Sequence, residues 1–489
     1  MRFAPPALAA VAAVLLACAA PAHAGGPSLV LGVNETAVKR QSLSEARARM
    51  AIVRLIGFDT VRINTTWWPG ETEPDAAEVQ EFRNVVAAAQ LNGIRVVVAV
   101  YNHGNRTTPL SEEYRTEFAE YAAWIVRTFP YIREVIVGNE PNLNRFWMPQ
   151  FTEDGGNAAA PAYLELLAQT YDRLKAVSPS VTVIGGALAP RGTDRPGTNR
   201  DTHSPVKFLR DLGAAYRTSG RTRPIMDQLS IHPYGDSSSQ PPNRSRHPGT
   251  TVGLADYAKL VRVLGEAFDG TRQRGSTLPI VYGEFGVETR IPRARQHLYS
   301  GAEPARTRPV DEQTQGRFYR QAIGLAFCQP TVRALMLFHV WDEPLLPGWQ
   351  SGVYYVDGRP KASLPAVRQA LAESRRGVVR RCPGLALTPA VERLVWPRGR
   401  ITGRAPLRLG LRCSIDCAYT AHLVRVGQRT PVAVARGQAV GKVLTSVVLR
   451  RPQGQPRTNA GRYVVRLFLA APVNRGRTVV RTSPPLNLG

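Results

Sequence analysis

The chain has 489 residues, enough for two or three domains. Its 63 Lys and Arg against 37 Asp and Glu leave a formal charge of +26, and only six of the basic residues are Lys. Past residue 24 no stretch approaches ~18 consecutive apolar residues, which argues against a membrane span. No Cys/His spacing resembles a zinc site, and no recognised binding motif points to nucleic acid.

At the N-terminus, Arg2, the apolar run VAAVLLACAA (11–20) and Ala22-His23-Ala24 have the layout of a secretory signal over residues 1–24. The expectation is a secreted, extracellular protein. Lipidation at Cys18 is the alternative. Without Cys18, four cysteines remain. An even count in an exported chain favours two disulfides, Cys328–Cys382 and Cys413–Cys417.

From residue 27 to 375, short β-branched runs alternate with amphipathic stretches. The strand candidates, in order, are SLVLGVN (28–34), DTVRIN (59–64), IRVVVAVY (94–101) and REVIVGN (133–139). They continue with VTVIGGA (181–187), MDQLSIH (226–232), PIVYGEF (279–285) and RALMLFHVW (333–341). Helical spacing of apolar residues marks 78–93, 112–129, 163–179 and 256–270 between them. Gly93 is placed to cap the first of these four helices. Eight strand–helix units predict a (β/α)8 barrel of the TIM type. A doubly wound sheet is disfavoured because no glycine-rich phosphate loop follows the first strand. The Pro-, Gly- and Ser-rich segments 190–205 and 235–251, together with 290–312, follow strands five to seven and would shape a groove.

After a linker at 376–384 the pattern changes to alternating runs at 407–413, 418–426, 443–449 and 462–470. Residues 385–489 read as a small immunoglobulin-like β-sandwich. From residue 383 onward, 18 Lys and Arg face 2 Asp and Glu. That surplus would attract a polyanion such as an anionic cell-wall polymer.

Two runs stop on a carboxylate. REVIVGNEP (133–141) delivers Glu140, and LPIVYGEFG (278–286) delivers Glu284. Two carboxyl groups at one barrel mouth are the minimum equipment for cleaving a glycosidic bond. Around them, GFDTVRIN (57–64), VGNEPN (137–142), SIHPYGD (230–236), YGEFGVET (282–289) and LFHVWDEP (337–344) resemble strand-end elements of clan A glycoside hydrolases. The nearest likeness is to the cellulase-like family 5 and relatives such as family 39, over about 28–375. The resemblance implies a retaining mechanism on a carbohydrate substrate, with no cofactor and no metal. It makes Glu284 the nucleophile and Glu140 the acid/base. It assigns Asn139 to a sugar hydroxyl, Arg62 and Tyr234 to Glu284, His232 to sugar or Glu140, and Trp341 to a stacking floor. His103 resembles a strand-three histidine of the same family. Asn64 departs from the pattern, since proline is frequent there. Trp67-Trp68 and Trp147 fit either a sugar groove or a barrel cap. A catalytically inactive sugar-binding barrel at the cell surface is the competing reading. A monomer is expected.

Overall fold

A computed structural model of the protein describes residues 25–246, 248–397, 406–450 and 460–488. The expected signal at 1–24, with Cys18, lies outside the described residues. Eight parallel strands close into a barrel. They are β1 (Val30–Asn34), β2 (Thr60–Trp67), β3 (Arg95–Asn102), β4 (Glu134–Val137), β5 (Thr182–Leu188), β6 (Gln228–Ile231), β7 (Ile280–Phe285) and β8 (Val332–Phe338). β1 pairs with both β2 and β8, which closes the ring. All eight runs read from the sequence form strands.

Eight helices cover the outside: α1 (Leu43–Ile56), α2 (Ala76–Asn92), α3 (Glu112–Thr128), α4 (Ala159–Val177), α5 (Pro205–Thr218), α6 (Tyr257–Phe268), α7 (Glu312–Phe327) and α8 (Leu364–Arg376). Their ends follow local chemistry. The Asp75 side chain accepts from Glu78 N at the start of α2, and Gly93 ends that helix in the left-handed conformation.

The strands are apolar on both faces because both are buried. Leu31, Val33, Val61 and Ile63 pack outward among helix residues such as Met50, Val53, Phe82 and Phe118. Val30, Val97, Ile136, Ile184, Val281 and Met336 fill the interior as a separate small core. Side chains alternate along a strand. The interior series therefore runs Val30, Gly32, Asn34 in β1, then Thr60, Arg62, Asn64 in β2, and Val97, Ala99, Tyr101 in β3. Each series starts small or apolar and ends polar. The barrel has a sealed floor and a polar mouth where its strands end.

The C-terminal part is two antiparallel sheets. One has the order β13 (Thr445–Leu449), β10 (Leu407–Cys413), β9 (Val391–Val395). The other runs β12 (Pro431–Ala439), β11 (Cys417–Arg425), β14 (Gly461–Ala470), β15 (Val479–Thr482), with β16 (Leu486–Leu488) also on β14. Leu409 and Leu411 of the first sheet meet Leu423, Val465 and Leu467 of the second in a shared core. β9, β12, β15 and β16 escaped the sequence reading, the last two being strands of only four and three residues. β9 is largely exposed, and β12 is built on Ala, Gly and an initial Pro, which are weak strand formers.

This part packs against the end of the barrel where the strands begin. Leu387, Ile415 and Ala471 join the barrel's outer core. Arg376, at the end of α8, grips Asp416 with two hydrogen bonds of 3.0 and 2.6 Å. Cys328 and Cys382 are bonded, as are Cys413 and Cys417. Segment 376–384 is thus tethered along its length rather than loose. No described helix is long and apolar enough to cross a membrane.

Candidate active site

The strand-four carboxylate arrives through an unusual backbone. After β4 ends at Val137, Gly138 adopts φ 83° and Glu140 φ 43°. A Cβ on Gly138 would stand 3.1 Å from the Tyr163 ring. Left-handed backbone at a non-glycine residue costs of order 1–3 kcal/mol and persists only where the surroundings impose it.

Glu284 sits one residue from the end of β7. Three donors converge on it. Asn34 Nδ2 reaches Oε1 at 3.1 Å, Tyr234 OH reaches Oε2 at 3.0 Å, and Arg62 Nη1 lies 2.9 Å from Oε1. Arg62 is fully buried. Its guanidinium also donates to the Gly283 carbonyl at 3.0 Å and to Asn139 Oδ1 at 3.4 Å. Gly283 permits this approach, because a Cβ there would lie 2.5 Å from Ser230 Oγ and 3.3 Å from Arg62 Nη1. Burying an arginine is tolerable when its charge is paired and its terminal nitrogens find acceptors, as both Nη1 and Nη2 do here, while Nε is left without a partner.

His232 joins the two carboxylates. Its Nε2 is 3.2 Å from Arg62 Nη1, and its Nδ1 is 3.0 Å from Glu140 Oε1 and 3.6 Å from Glu284 Oε2. Arginine can only donate, so Nε2 accepts and the ring proton sits on Nδ1, facing the glutamates. Burial pushes the imidazole down to about 4, so it is neutral at pH 7. Burial pushes Glu140 up to about 7, against the pull of Arg145, Arg62 and Arg191. The site therefore pairs a carboxyl able to hold a proton near neutrality with a second carboxylate supplied with three donors.

Glu140, Glu284, Arg62, Asn139, His232 and Tyr234 are thus brought together by four strands, β2, β4, β6 and β7. Two expected residues are not. Trp341 is 7% exposed and packs away from the carboxylates, with the Arg49 guanidinium 4.3 Å from its ring centre and Tyr354 at 6.4 Å. The reason is that β8 ends at Phe338, three residues earlier, so strand alternation no longer sets the direction of residue 341. His103 is exposed and stacks on Trp68 at 3.9 Å. Tyr101, two residues below it inside the barrel, is the strand-three group whose hydroxyl feels Arg62 and Glu284, although burial is what chiefly raises its pKa. Trp67 and Trp147 are core, at 0% and 1% exposure.

Three further residues were missed. Asn34 and Tyr101 each close an apolar run with a polar group, the same signal that exposed the glutamates. Trp349 gives no such signal, because it lies in the long connection between β8 and α8. Its ring is 4.8 Å from Tyr234 and 5.2 Å from Phe338, making an aromatic wall beside Glu284. Glu343 fixes its backbone by accepting from Trp349 N at 3.1 Å and donating its own N–H to Trp349 O at 2.9 Å.

The family model for cellulase (glycosyl hydrolase family 5) matches residues 30–299, a span that includes both glutamates. No curated protein matches the chain. Among solved structures, a GH5_18 protein from Streptomyces cattleya in complex with GlcNAc is 16% identical with a TM-score of 0.49, over 77% of this chain and 84% of that one. An exo-β-1,4-mannosidase from Opitutaceae bacterium strain TAV5 is 16% identical with a TM-score of 0.44, over 72% and 60%. A Bacteroides uniformis β-glucuronidase is 12% identical with a TM-score of 0.45 over 95% of this chain, which spans about half (47%) of that protein. The family match takes in more than half of the chain, and the protein belongs to glycosyl hydrolase family 5.

Proposed function

We propose that the protein is an exported retaining glycosidase acting on β-linked sugars by double displacement. One observation carries the reading: His232 Nδ1 touches Glu140 at 3.0 Å and lies 3.6 Å from Glu284. The two carboxylate oxygens can be no farther apart than those distances combined. Retaining enzymes hold their carboxyl groups about 5–5.5 Å apart, inverting ones about 6.5–9.5 Å. That closeness of the facing oxygens favours the retaining spacing over the inverting one.

In the first step Glu284 attacks the anomeric carbon as the bond to the leaving oxygen breaks, and Glu140 gives its proton to that oxygen. In the second, Glu140 takes a proton from water, the water oxygen bonds to the anomeric carbon, and Glu284 leaves. Arg62, Asn34 and Tyr234 hold Glu284 in line, Asn139 meets a sugar hydroxyl, and Trp349 lines the reacting sugar. The two disulfides fit an oxidising compartment. Mass spectrometry after incubation with 2-deoxy-2-fluoro glycosides tests the reading. A sugar adduct on Glu284 is expected. No adduct from any glycoside of the panel on folded protein, or an adduct elsewhere, overturns it and favours a binding-only barrel.

The basic C-terminal part is a candidate dock for an anionic wall polymer. Both its acids are already engaged, Asp416 by Arg376 and Glu392 by Arg412 and Lys442. Its remaining positive charge is uncompensated within the sandwich. Retention on acidic wall material that fades between low and physiological salt is expected, and salt-independent retention would refute the idea.

A further inference from the structure

We propose that Trp68 and His103 form a second sugar subsite at the rim of the mouth, one that takes a neutral β-linked hexopyranose unit of an oligosaccharide distant from the unit being cleaved. The inference rests on the glycosidase reading and extends it to substrate length.

The two rings are placed by barrel geometry. Trp67 and Asn102 are register partners at the ends of β2 and β3. Trp68 and His103 are the next residues on each chain. By alternation, Trp67 turns outward against Tyr114 and Phe118 of α3, with ring centres at 6.1 and 5.7 Å. Trp68 falls in the interior series above Arg62, and His103 falls in the series above Tyr101. The rings stack side by side, 3.9 Å apart and 19° from parallel.

Their position sets them apart from the reacting sugar. Trp68 is six residues beyond Arg62, about 20 Å along the strand at ~3.3 Å per residue. The carboxylates lie nearer the Arg62 guanidinium than its backbone, but a ring carried so far along the strand still suits a unit of a longer chain better than the one being cleaved.

Their exposure excludes a capping role. Trp68 is 45% exposed, while Trp67 and Trp147 already seal the barrel at 0% and 1%. One face of the indole is covered by His103, and the residue's exposure is enough for the other to receive a sugar. An indole face carries negative potential, and the polarised C–H groups on the flat side of a pyranose are its complement. No described partner holds the His103 ring beyond this stack, so its nitrogens remain for sugar hydroxyls.

The platform is also rigid before any ligand arrives. Trp67 Nε1 donates to Glu71 O at 2.9 Å, Trp68 N to Glu71 Oε2 at 3.0 Å, and Gly70 N to Glu117 Oε2 at 2.8 Å. His103 N donates to Trp67 O at 3.1 Å, tying the two strand ends together. A rigid flat surface loses little entropy on binding.

The test is calorimetric titration of cellohexaose, mannohexaose and laminarihexaose, and of the matching disaccharides, into the Glu284→Gln protein. At least one hexasaccharide is expected to bind. Adding Trp68→Ala should weaken that hexasaccharide about tenfold and its disaccharide by no more than about threefold. Trp68→Phe, which keeps a ring, should fall between. Equal losses at both lengths, no loss, or no hexasaccharide binding to the folded protein overturns the subsite. Hydrolysis by wild type is followed in parallel. Length-dependent binding without hydrolysis refutes the glycosidase reading and leaves the subsite standing. Hydrolysis with Trp68-independent binding does the reverse.

Discussion

Glu140 donates its backbone N–H to the carbonyl of Ala187 at 2.9 Å, and both residues hold left-handed backbone, with φ of 43° and 47°. The end of β4 is thus locked to the end of β5, and the lock aims the candidate acid into the mouth. Gly138 makes the turn possible, and Tyr163 braces it from beneath by donating to Val137 O at 2.6 Å and accepting from Gly186 N at 2.8 Å. Gly138→Ala places a methyl against a ring that is bonded on both sides. We expect a loss of about 1–3 kcal/mol of stability and a fall in kcat, read by urea denaturation and kinetics. Unchanged kcat would mean that Glu140 is aimed by something other than this turn.

Glu140 and His232 make opposite contributions to stability over nearly the same pH range. Burial raises Glu140 from its ordinary 4.5 to about 7. In that window the folded state keeps a proton that the unfolded state releases, so this contribution falls as pH rises. Burial lowers His232 from 6.5 to about 4, where the unfolded state binds the extra proton and stability rises with pH. Glu140→Gln removes the first contribution alone. The variant should match wild type near pH 4.5 and exceed it by about 1–3 kcal/mol at pH 8, from urea midpoints across that range. Wild-type kcat/KM should decline above about pH 7, as the acid needed for the first step ionises.

Arg62 is a hub, touching Glu284, His232, Asn139 and the Gly283 carbonyl. Arg62→Met leaves these acceptors facing an apolar chain. Stability should fall by about 3–5 kcal/mol and kcat/KM by about 10²–10³. Arg62→Lys should recover part of the stability but little activity, since an ammonium cannot span four partners.

The two tryptophans past β8 should separate by phenotype. Trp349→Ala removes the wall beside Tyr234 and should raise KM about tenfold with little change in the melting temperature. Trp341→Ala removes a buried ring and should cost about 3–5 kcal/mol with little change in KM. The reverse assignment would restore Trp341 as the sugar floor.

Lys361 and Asp342 form a fully buried ion pair at 2.7 Å, and Lys361 also holds Thr289 Oγ1 and the Gln350 carbonyl. It ties the connection after β7 to the one after β8. Lys361→Met alone strands a buried carboxylate and should cost about 3–5 kcal/mol. Lys361→Met with Asp342→Leu should cost less than the single change, as a thermal unfolding comparison would reveal.

What was legible in the sequence follows from burial. Eight strands could be read because each is largely covered on both faces and leaves a short, mostly apolar run. Of the residues that the structure brings together, Glu140, Glu284, Asn139, His232 and Tyr234 are polar groups at or just beyond the end of such a run, and Arg62 is a charge set inside one. Asn34 and Tyr101 obey the same rule and were available to it. Trp341 misled because β8 stops at Phe338, and where a strand stops is decided by tertiary packing rather than by composition. Trp349 reaches the site through an aperiodic connection, where no spacing rule predicts direction. β9, β12, β15 and β16 were hidden for the opposite reason, being too exposed, too small-chained or too short to leave an alternating pattern.

The disulfide at Cys382, the Arg376–Asp416 grip and the packing of Leu387 and Ile415 fasten the basic sandwich to the barrel end opposite the mouth. A domain on a loose leash would sweep its partner around whatever it held. This one is a bracket with a set angle. If the sandwich rests on an acidic surface, the cleft opens away from that surface, toward chains arriving from the surroundings rather than the one underfoot.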